Sequence, residues 1–168
     1  MRIRPIEPED LEFLYTIEND PCLWDATDTE APFSHFALKQ YLASLRPMQE
    51  AGELRMAIEI EADAPYHTIG LVELTDINYY HARAEVGIAL LKEYRGQGLG
   101  TRALQLIEQL ALKRLRLHQL YAHVAESNRA SAHLFERVGY TPSARLTEWK
   151  YQGGDYENVV VYQKLFKK

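Results

Sequence analysis

Residues 84–108, AEVGIALLKEYRGQGLGTRALQLIE, carry the three features that decide the fold: an extended run, a glycine-rich turn and the start of a helix. Apolar side chains alternate over residues 84–90, which is typical of a strand. Beyond the turn they recur at steps of three and four, which predicts a helix. Its expected buried stripe contains Leu99, Ala103, Leu106 and Leu110. The sequence therefore predicts a strand, a turn and a helix in direct succession.

The turn has the composition of a phosphate-binding loop. Three closely spaced glycines tolerate positive φ and let a ligand approach the backbone, because they have no Cβ. The first N–H groups of the following helix lack intrahelical partners and lie at the positive end of its dipole, where anions bind. We therefore predict a pyrophosphate site formed by Arg95, Gly96, Gln97, Gly98, Leu99, Gly100 and Thr101.

Two other glycine-rich motifs do not fit this turn. A dinucleotide-binding fingerprint needs Gly or Ala where Thr101 stands, and a Walker A loop needs Lys where Gly100 stands. The alternative that remains open is a plain glycine turn between a strand and a helix, with no ligand.

The composition is that of a folded chain of ordinary domain size. Its 168 residues are 46% hydrophobic, which predicts one domain over residues 1–168 with a substantial core. No apolar run approaches the roughly 18 residues of a membrane span. Residues 1–5 lead into no apolar signal region, so we expect a cytoplasmic protein with no membrane partner. Cys22 is the only cysteine, which excludes an intrachain disulfide.

The charges are unevenly distributed along the chain. Nine acidic residues and no Lys or Arg lie between Pro5 and Leu38, which leaves 15 acidic against 19 basic residues elsewhere. Two poles of opposite charge suggest two ligands of opposite sign, although a solvated acidic face is an equally open interpretation. A pI near 5.7, without a basic stripe interleaved with aromatic residues, argues against a nucleic-acid partner.

The rest of the chain predicts further strands and helices around this centre. The expected helices run from Pro8 to Pro21, from Ser34 to Pro47 and from Glu126 to Gly139, with a polar loop over Trp24 to Pro32. The expected strands cover residues 2–6, 55–60, 69–74, 84–90, 119–125, 145–151 and 156–166, with a turn at 62–67. This order predicts an α/β fold (α+β, mixed sheet): one mixed central sheet with helices on both faces.

Two motifs resemble the GNAT N-acetyltransferase family. Arg95, Gly98 and Gly100 fit its R/Q-x-x-G-x-G/A signature, and residues 128–140, NRASAHLFERVGY, resemble its N-x-x-A-x-x-[LI]-[YF]-x-x-x-G-[FY] segment. Residues 70–104 look like bacterial spermidine/spermine N-acetyltransferases. The hairpin at 151–163 also resembles that of ribosomal-protein N-terminal acetyltransferases. The resemblance implies the GNAT fold and use of acetyl-CoA.

The resemblance also implies roles for particular residues. Backbone groups of Ile88, Ala89 and Leu90 are expected to bind the pantetheine arm, and Asn128 to contact the cofactor or only to cap a helix. Glu85, with Glu73 as the second candidate, is expected to act as base or to bind the amine. Phe135 stands where the family often has a Tyr that protonates the departing thiolate.

The function implied is acetyl-CoA dependent N-acetyl transfer to a small-molecule amine by a homo-oligomer, with a polyamine such as spermidine or spermine as the favoured substrate. Acetylation of a protein N-terminus and a non-catalytic acyl-CoA binding module remain alternatives. The six histidines show no metal-ligand spacing, so no metal is expected. His123 on its strand is interpreted as structural.

Overall fold

A single seven-stranded mixed sheet forms the centre of the computed structural model, which describes residues 1–27, 29, 31–44, 51–61 and 66–166. The strand order is β1-β2-β3-β4-β5-β7-β6, and every pair of neighbours is antiparallel except β4 and β5. The strands are β1 Arg2–Pro5, β2 Leu54–Ile60, β3 His67–Asn78, β4 Arg83–Leu90, β5 Gln119–Ala125, β6 Thr141–Gln152 and β7 Asp155–Leu165. The predicted mixed sheet is confirmed.

Helices cover both faces of this sheet, as predicted. In the described part of the chain they are α1 Leu11–Glu18, α2 Pro21–Thr27, α3 His35–Ala43, α4 Leu99–Lys113 and α5 Arg129–Arg137, with short 3₁₀ turns at Pro8–Asp10 and Lys92–Tyr94. Helices α1 to α3 pack on one face through Leu14, Leu23 and Leu38. Helices α4 and α5 pack on the other through a larger apolar cluster that includes Leu104 and Ile107.

Helix α2 corrects the predicted loop over Trp24 to Pro32. Residues 24–27 are helical, and Pro21 begins a helix as well as following the end of α1. Proline suits a first helical position because its missing N–H would have no partner there. The side chain of Asp20 accepts the N–H of Cys22 (2.9 Å), and Trp24 Nε1 donates to the Glu18 carbonyl oxygen (3.0 Å). The predicted end of the second helix at Pro47, and most of the 62–67 turn, lie outside the described residues.

The buried face of α4 is rotated from the predicted stripe. Ala103 is buried as expected, but Leu106 and Leu110 are only partly buried. The fully buried row contains Gly100, Ala103, Leu104, Ile107 and Ala111. Apolar or small residues occupy both rows, so periodicity alone does not distinguish them. The small Gly100 decides it, because a Cβ there would stand 3.2 Å from Leu134 of α5.

The parallel pair β4 and β5 separates along its length. The two strands pair only from Arg83 opposite Gln119 to Glu85 opposite Tyr121. Beyond this point β4 continues alongside β3 to Leu90, and β5 continues alongside β7 to Ala125. A wedge, here called the β4–β5 gap, therefore opens between residues 86–90 and 122–125. It points toward the glycine-rich turn that follows β4.

Candidate functional site

Two cavities meet at the β4–β5 gap. The larger cavity has a volume of about 670 Å³ and lies toward β6, and the smaller, of about 420 Å³, lies toward the glycine-rich turn. Ile88, Asn128 and Ser131 line both cavities, so the two cavities adjoin at these residues. The glycine-rich turn and the larger cavity therefore lie on either side of one shared wall.

The glycine-rich turn is open toward the smaller cavity. Gly96 and Gly98 have φ of +73° and +77°, and no atom lies within 4 Å of where a Cβ would be at either residue. Gly98 caps α4, and the first α-helical bond of that helix runs from the Arg102 N–H to the Gly98 carbonyl oxygen (3.3 Å). The N–H groups of residues 99–101 precede this bond. The turn thus has the donors and the free approach that an anion needs.

Arg95 connects the turn to the strand before it. Its Nε donates to the Leu90 carbonyl oxygen (2.8 Å), and a guanidinium nitrogen lies 3.4 Å from Asp20 Oδ2. Gln97 and Leu99 line neither cavity. Gln97 Nε2 donates to the Glu93 carbonyl oxygen (2.7 Å), and Leu99 packs against the core. The other members of the predicted pyrophosphate site, Arg95, Gly96, Gly98, Gly100 and Thr101, line the smaller cavity.

The backbone of β4 presents alternate residues to the gap. The Leu91 N–H donates to the Ile69 carbonyl oxygen of β3 (2.9 Å), so the backbone groups of Ala89 also face β3, two residues earlier. Those of Ile88 and Leu90 face the gap. The Leu90 carbonyl oxygen already accepts a hydrogen bond from Arg95. The backbone groups available to a ligand in the gap are therefore the N–H and carbonyl oxygen of Ile88 and the N–H of Leu90. Ala89 lines the smaller cavity, but its backbone polar groups face β3.

Glu85 and His123 form a hydrogen-bonded pair in the larger cavity. The His123 Nδ1 and Glu85 Oε1 atoms are 2.8 Å apart, and both side chains are about one-third exposed. The Tyr121 ring meets the His123 ring edge-on, and the Tyr121 hydroxyl donates to Asp76 Oδ2 (2.6 Å). The interpretation of His123 as structural missed this pair. The signal was available only with the register that places residues 85 and 121 opposite each other.

Glu73 lies in a different setting from Glu85. It lines neither cavity, and Arg55, which also pairs with Glu18, holds it at 3.1 Å. Burial raises the pKa of Glu73, and the carboxylates of Glu18, Glu53 and Glu85 raise it further, while Arg55 lowers it. Its carboxylate lies over Gly87, where a Cβ would come within 3.1 Å of it. The structure thus places only Glu85 of the two carboxylates where it can meet a ligand in the gap.

Helix α5 and its N-cap line the larger cavity with three residues, Asn128, Ser131 and Phe135. Asn128 caps the helix, as its Oδ1 accepts the Ser131 N–H (3.1 Å), and it also lines both cavities. Phe135 is 4% exposed, lines the larger cavity and packs on the rings of Tyr140 and Tyr162. Of the two hydroxyl groups near Phe135 in sequence, Ser131 lines both cavities. Tyr140 lines neither cavity and is buried beside Glu108. Burial and the neighbouring Glu108 carboxylate both raise the pKa of the Tyr140 hydroxyl group.

Within the described ranges, no three His, Cys, Asp or Glu side chains cluster as metal ligands. Each helix in those ranges is too short or too polar to span a bilayer.

Comparisons with known proteins agree with this architecture. A family model described as an acetyltransferase (GNAT) domain matches residues 1–141. Spermidine N(1)-acetyltransferase from Vibrio cholerae is 30% identical over 159 residues, which cover 95% of this chain and 89% of that protein. Its counterpart in Escherichia coli K12 is 29% identical over 163 residues, 95% of this chain and 83% of that protein.

Solved structures give the same result. The Vibrio cholerae enzyme in complex with CoA and spermine has a TM-score of 0.87 at 29% identity, covering 97% of this chain and 94% of that one. Other structures of that enzyme are a dodecamer and a complex with manganese ions, with TM-scores of 0.80 and 0.79. A putative ribosomal N-acetyltransferase of Bacillus subtilis, YdaF, is 26% identical over 57% of this chain. The resemblance drawn from the two motifs is confirmed: the chain belongs to the GNAT acetyltransferase family.

Proposed function

We propose that this protein transfers the acetyl group of acetyl-CoA to a primary amine of a polyamine such as spermidine or spermine. The observation that carries the proposal is the pair of cavities that adjoin at the β4–β5 gap, with the open glycine-rich turn lining one and a carboxylate and aromatic rings lining the other. The relatives named as spermidine acetyltransferases, and the complex of one with CoA and spermine, support this substrate.

The smaller cavity has the features expected for the CoA end. The open glycine turn and the first N–H groups of α4 suit the pyrophosphate, which the resemblance assigns to residues 95–101. The gap-facing backbone groups of Ile88 and Leu90 suit the amide-rich pantetheine arm, with Asn128 at the edge. Acetyl-CoA supplies an activated acetyl group, and these residues bind and orient it.

The larger cavity has the features expected for a cationic amine. Trp24, Trp149 and Tyr151 line it together with Glu85. Aromatic faces attract ammonium groups, by about 0.5–1 kcal/mol each at exposed sites. A carboxylate at the same place neutralises the charge of the bound cation. A polyamine with several ammonium groups uses more of this wall than a monoamine does.

The remaining expectations complete the proposal. We treat residues 1–168 as one acetyltransferase domain acting in the cytoplasm, without a nucleic-acid or membrane partner. We expect a homo-oligomer, which the dodecameric relative supports. We also expect catalysis without a metal, because acetyl transfer from a thioester needs positioning and proton transfer. A manganese complex of the relative makes retention of activity in EDTA a necessary check.

The first alternative, acetylation of a protein N-terminus, has the shorter match to YdaF behind it. The test is an assay of CoA release with spermidine, spermine, a monoamine and N-terminal ribosomal peptides. We expect the highest kcat/KM for the polyamines. Turnover of peptides without turnover of polyamines would contradict the proposal and favour N-terminal acetylation.

A further inference from the structure

We propose that His123 is the general base for acetyl transfer and that Glu85 is its positioning partner. This inference deepens the proposed function and rests on it. It replaces the expectation that a carboxylate alone accepts the proton of the amine.

The geometry assigns different roles to the two side chains. An ionised carboxylate only accepts hydrogen bonds, so the 2.8 Å contact with Glu85 Oε1 places the proton of a neutral imidazole on His123 Nδ1. Nε2 then carries the free lone pair. Glu85 lies at the last paired position before β4 and β5 separate, opposite Tyr121, and His123 lies two residues beyond Tyr121 on the same face of the sheet. Both side chains line the larger cavity. A base is therefore held at the mouth of the gap with its tautomer fixed.

The other ionisable groups around His123 do not replace it. Glu73, on β3, is held by Arg55 and lines neither cavity. Tyr121 shares its strand and is engaged with Asp76, while burial and that carboxylate raise its pKa. Lys150 of β6 lines the same cavity, but an ammonium group has no lone pair with which to accept a proton. An imidazole is also better suited to proton transfer near neutral pH than an ordinary carboxyl group.

The proton transfers in this mechanism explain how acetyl transfer can proceed with Phe, and not Tyr, at position 135. The neutral amine attacks the acetyl carbonyl carbon, a C–N bond forms, and His123 Nε2 takes one proton from the nitrogen that has become cationic. The C–S bond then breaks and its electron pair goes to sulfur. His123 returns the same proton to the thiolate, directly or through water, which gives the N-acetyl amine and CoA thiol. This route needs no phenol at position 135.

The main variant is His123→Ala, with His118→Ala as its matched control. His118 is an exposed histidine just before the same strand and lines neither cavity. We expect His123→Ala to lower kcat by about 10²–10⁴-fold. The KM for acetyl-CoA and the rise in Tm on CoA binding should stay close to those of the parent. His118→Ala should keep parental kcat.

Chemical rescue and a double variant separate a base from a structural residue. Added imidazole should restore part of the kcat of His123→Ala beyond its effect on the protein-free reaction, with no such gain in His118→Ala. Glu85→Gln should lower kcat less than His123→Ala does, and the double variant should lower kcat no more than His123→Ala alone. Parental kcat in His123→Ala, or a larger loss in Glu85→Gln without rescue, would overturn the assignment. An inactive parent that binds CoA would instead refute the proposed function.

Discussion

At the scale of single residues, Phe135 limits how the departing thiolate can be handled. The ring is almost fully buried between Tyr140 and Tyr162, but it lines the larger cavity. A phenol is most valuable when the leaving group is a strong base. Unperturbed thiols have pKa values near 8.5, so CoA departs largely as the thiolate near neutral pH. The absence of a hydroxyl group at position 135 therefore lowers kcat only slightly.

Phe135→Tyr tests this expectation. We expect a modest rise in kcat, at or below the low end of the 10²–10⁴-fold range of general-acid catalysis, with little change in CoA affinity. The added hydroxyl can point into the cavity that Phe135 lines, so strain is small. Steady-state kcat of both proteins is the measurement. An inert parent with an active Tyr variant would mean that this chain binds acyl-CoA and no longer transfers it.

The pair of His123 and Glu85 shows why single residues are hard to assign from sequence. Phe135 was identified from a local motif, because all its neighbours in that motif are close in sequence. His123 and Glu85 are 38 positions apart on adjacent strands. Their contact depends on the register that α4 and its two connections impose on the β4–β5 pair. Residue type and alternation specify a face of a strand and leave its opposite neighbour undetermined.

At the scale of secondary-structure elements, the junction of β4 and α4 is where the predicted ligand chemistry depends on backbone shape. Gly98 adopts the left-handed conformation that begins α4 and leaves space in front of the first N–H groups. A side chain there would occupy the approach to those groups. The glycine pattern predicted this junction because positive φ and an open approach both favour glycine.

Gly98→Asp tests the junction, and Gly153→Asp is its matched control. Gly153, in the β6–β7 turn, also has positive φ (+62°) and nothing within 4 Å of where a Cβ would be. Both variants carry the same kind of backbone strain and the same added charge. Only Gly98→Asp should lose the rise in Tm that CoA gives the parent by binding the native state. Normal CoA stabilisation of Gly98→Asp would contradict the assignment of the turn.

A second junction, at Arg4, holds β1 against β2 and the 3₁₀ turn. Its guanidinium lies 2.7 Å from both Asp10 and Glu59, whose side chains are 7% and 6% exposed. Burial alone would raise the pKa values of both carboxyl groups. Hydrogen bonds from Arg4, and from the Glu7 N–H to Asp10 and Arg2 to Glu59, outweigh it and hold both pKa values below their ordinary range. The two ion pairs of Arg4 thus stabilise the folded state at neutral pH.

Arg4→Gln should lower the free energy of unfolding by about 3 kcal/mol at pH 7, the low end for breaking a buried ion pair, because Asp10 loses its guanidinium partner and Glu59 loses one of its two. Arg2→Gln, which removes a half-exposed partner of Glu59, should cost only about 0–1 kcal/mol. Since both folded-state pKa values are lowered, this stabilisation is present above about pH 4 and is lost as pH falls through them. Denaturant unfolding should therefore show the parent and Arg4→Gln converging in acid. Equal stabilities at pH 7 would contradict the account.

At the scale of the whole molecule, the acidic N-terminal segment is less available to attract a cationic ligand than its composition suggests. Several of its carboxylates form ion pairs, Asp10 with Arg4, Glu18 with Arg55 and Asp20 with Arg95, and Glu12 lies 3.3 Å from His35 Nε2. Part of the predicted acidic pole therefore holds the N-terminal helices to the sheet. Attraction of a cationic substrate then depends on the other acidic residues of the segment, on the net charge of −5 and on Glu85.

The KM for spermidine should rise with ionic strength, because charges in exposed sites are screened over about 10 Å at 0.1 M salt. A monoamine of similar length carries fewer charges and should show a smaller rise. The measurement is KM for both amines over a salt series at constant pH. Equal salt dependence for the two would mean that multiple charges on the substrate are not recognised.

The sheet and its βαβ centre were predictable from sequence because most of the strands alternate in polarity, and Ser34, Gly98 and Asn128 mark where helices begin. Helix α2 was missed, since its short span lies among acidic and small residues without a clear apolar period. The face of α4 was misassigned because two adjacent rows are both apolar, and packing against Leu134 chooses between them. Local patterns therefore specified the elements, and tertiary contacts specified their orientation and the contents of the gap.

The most direct test of the central claim is the stoichiometry of the reaction of the purified protein with acetyl-CoA and spermidine. CoA thiol release and acetylated spermidine are measured on the same samples by thiol titration and mass spectrometry. The account predicts saturable, amine-dependent release of CoA with one acetyl group found on spermidine for each CoA released. A protein that CoA stabilises against heat but that releases no CoA with spermidine or spermine would contradict it.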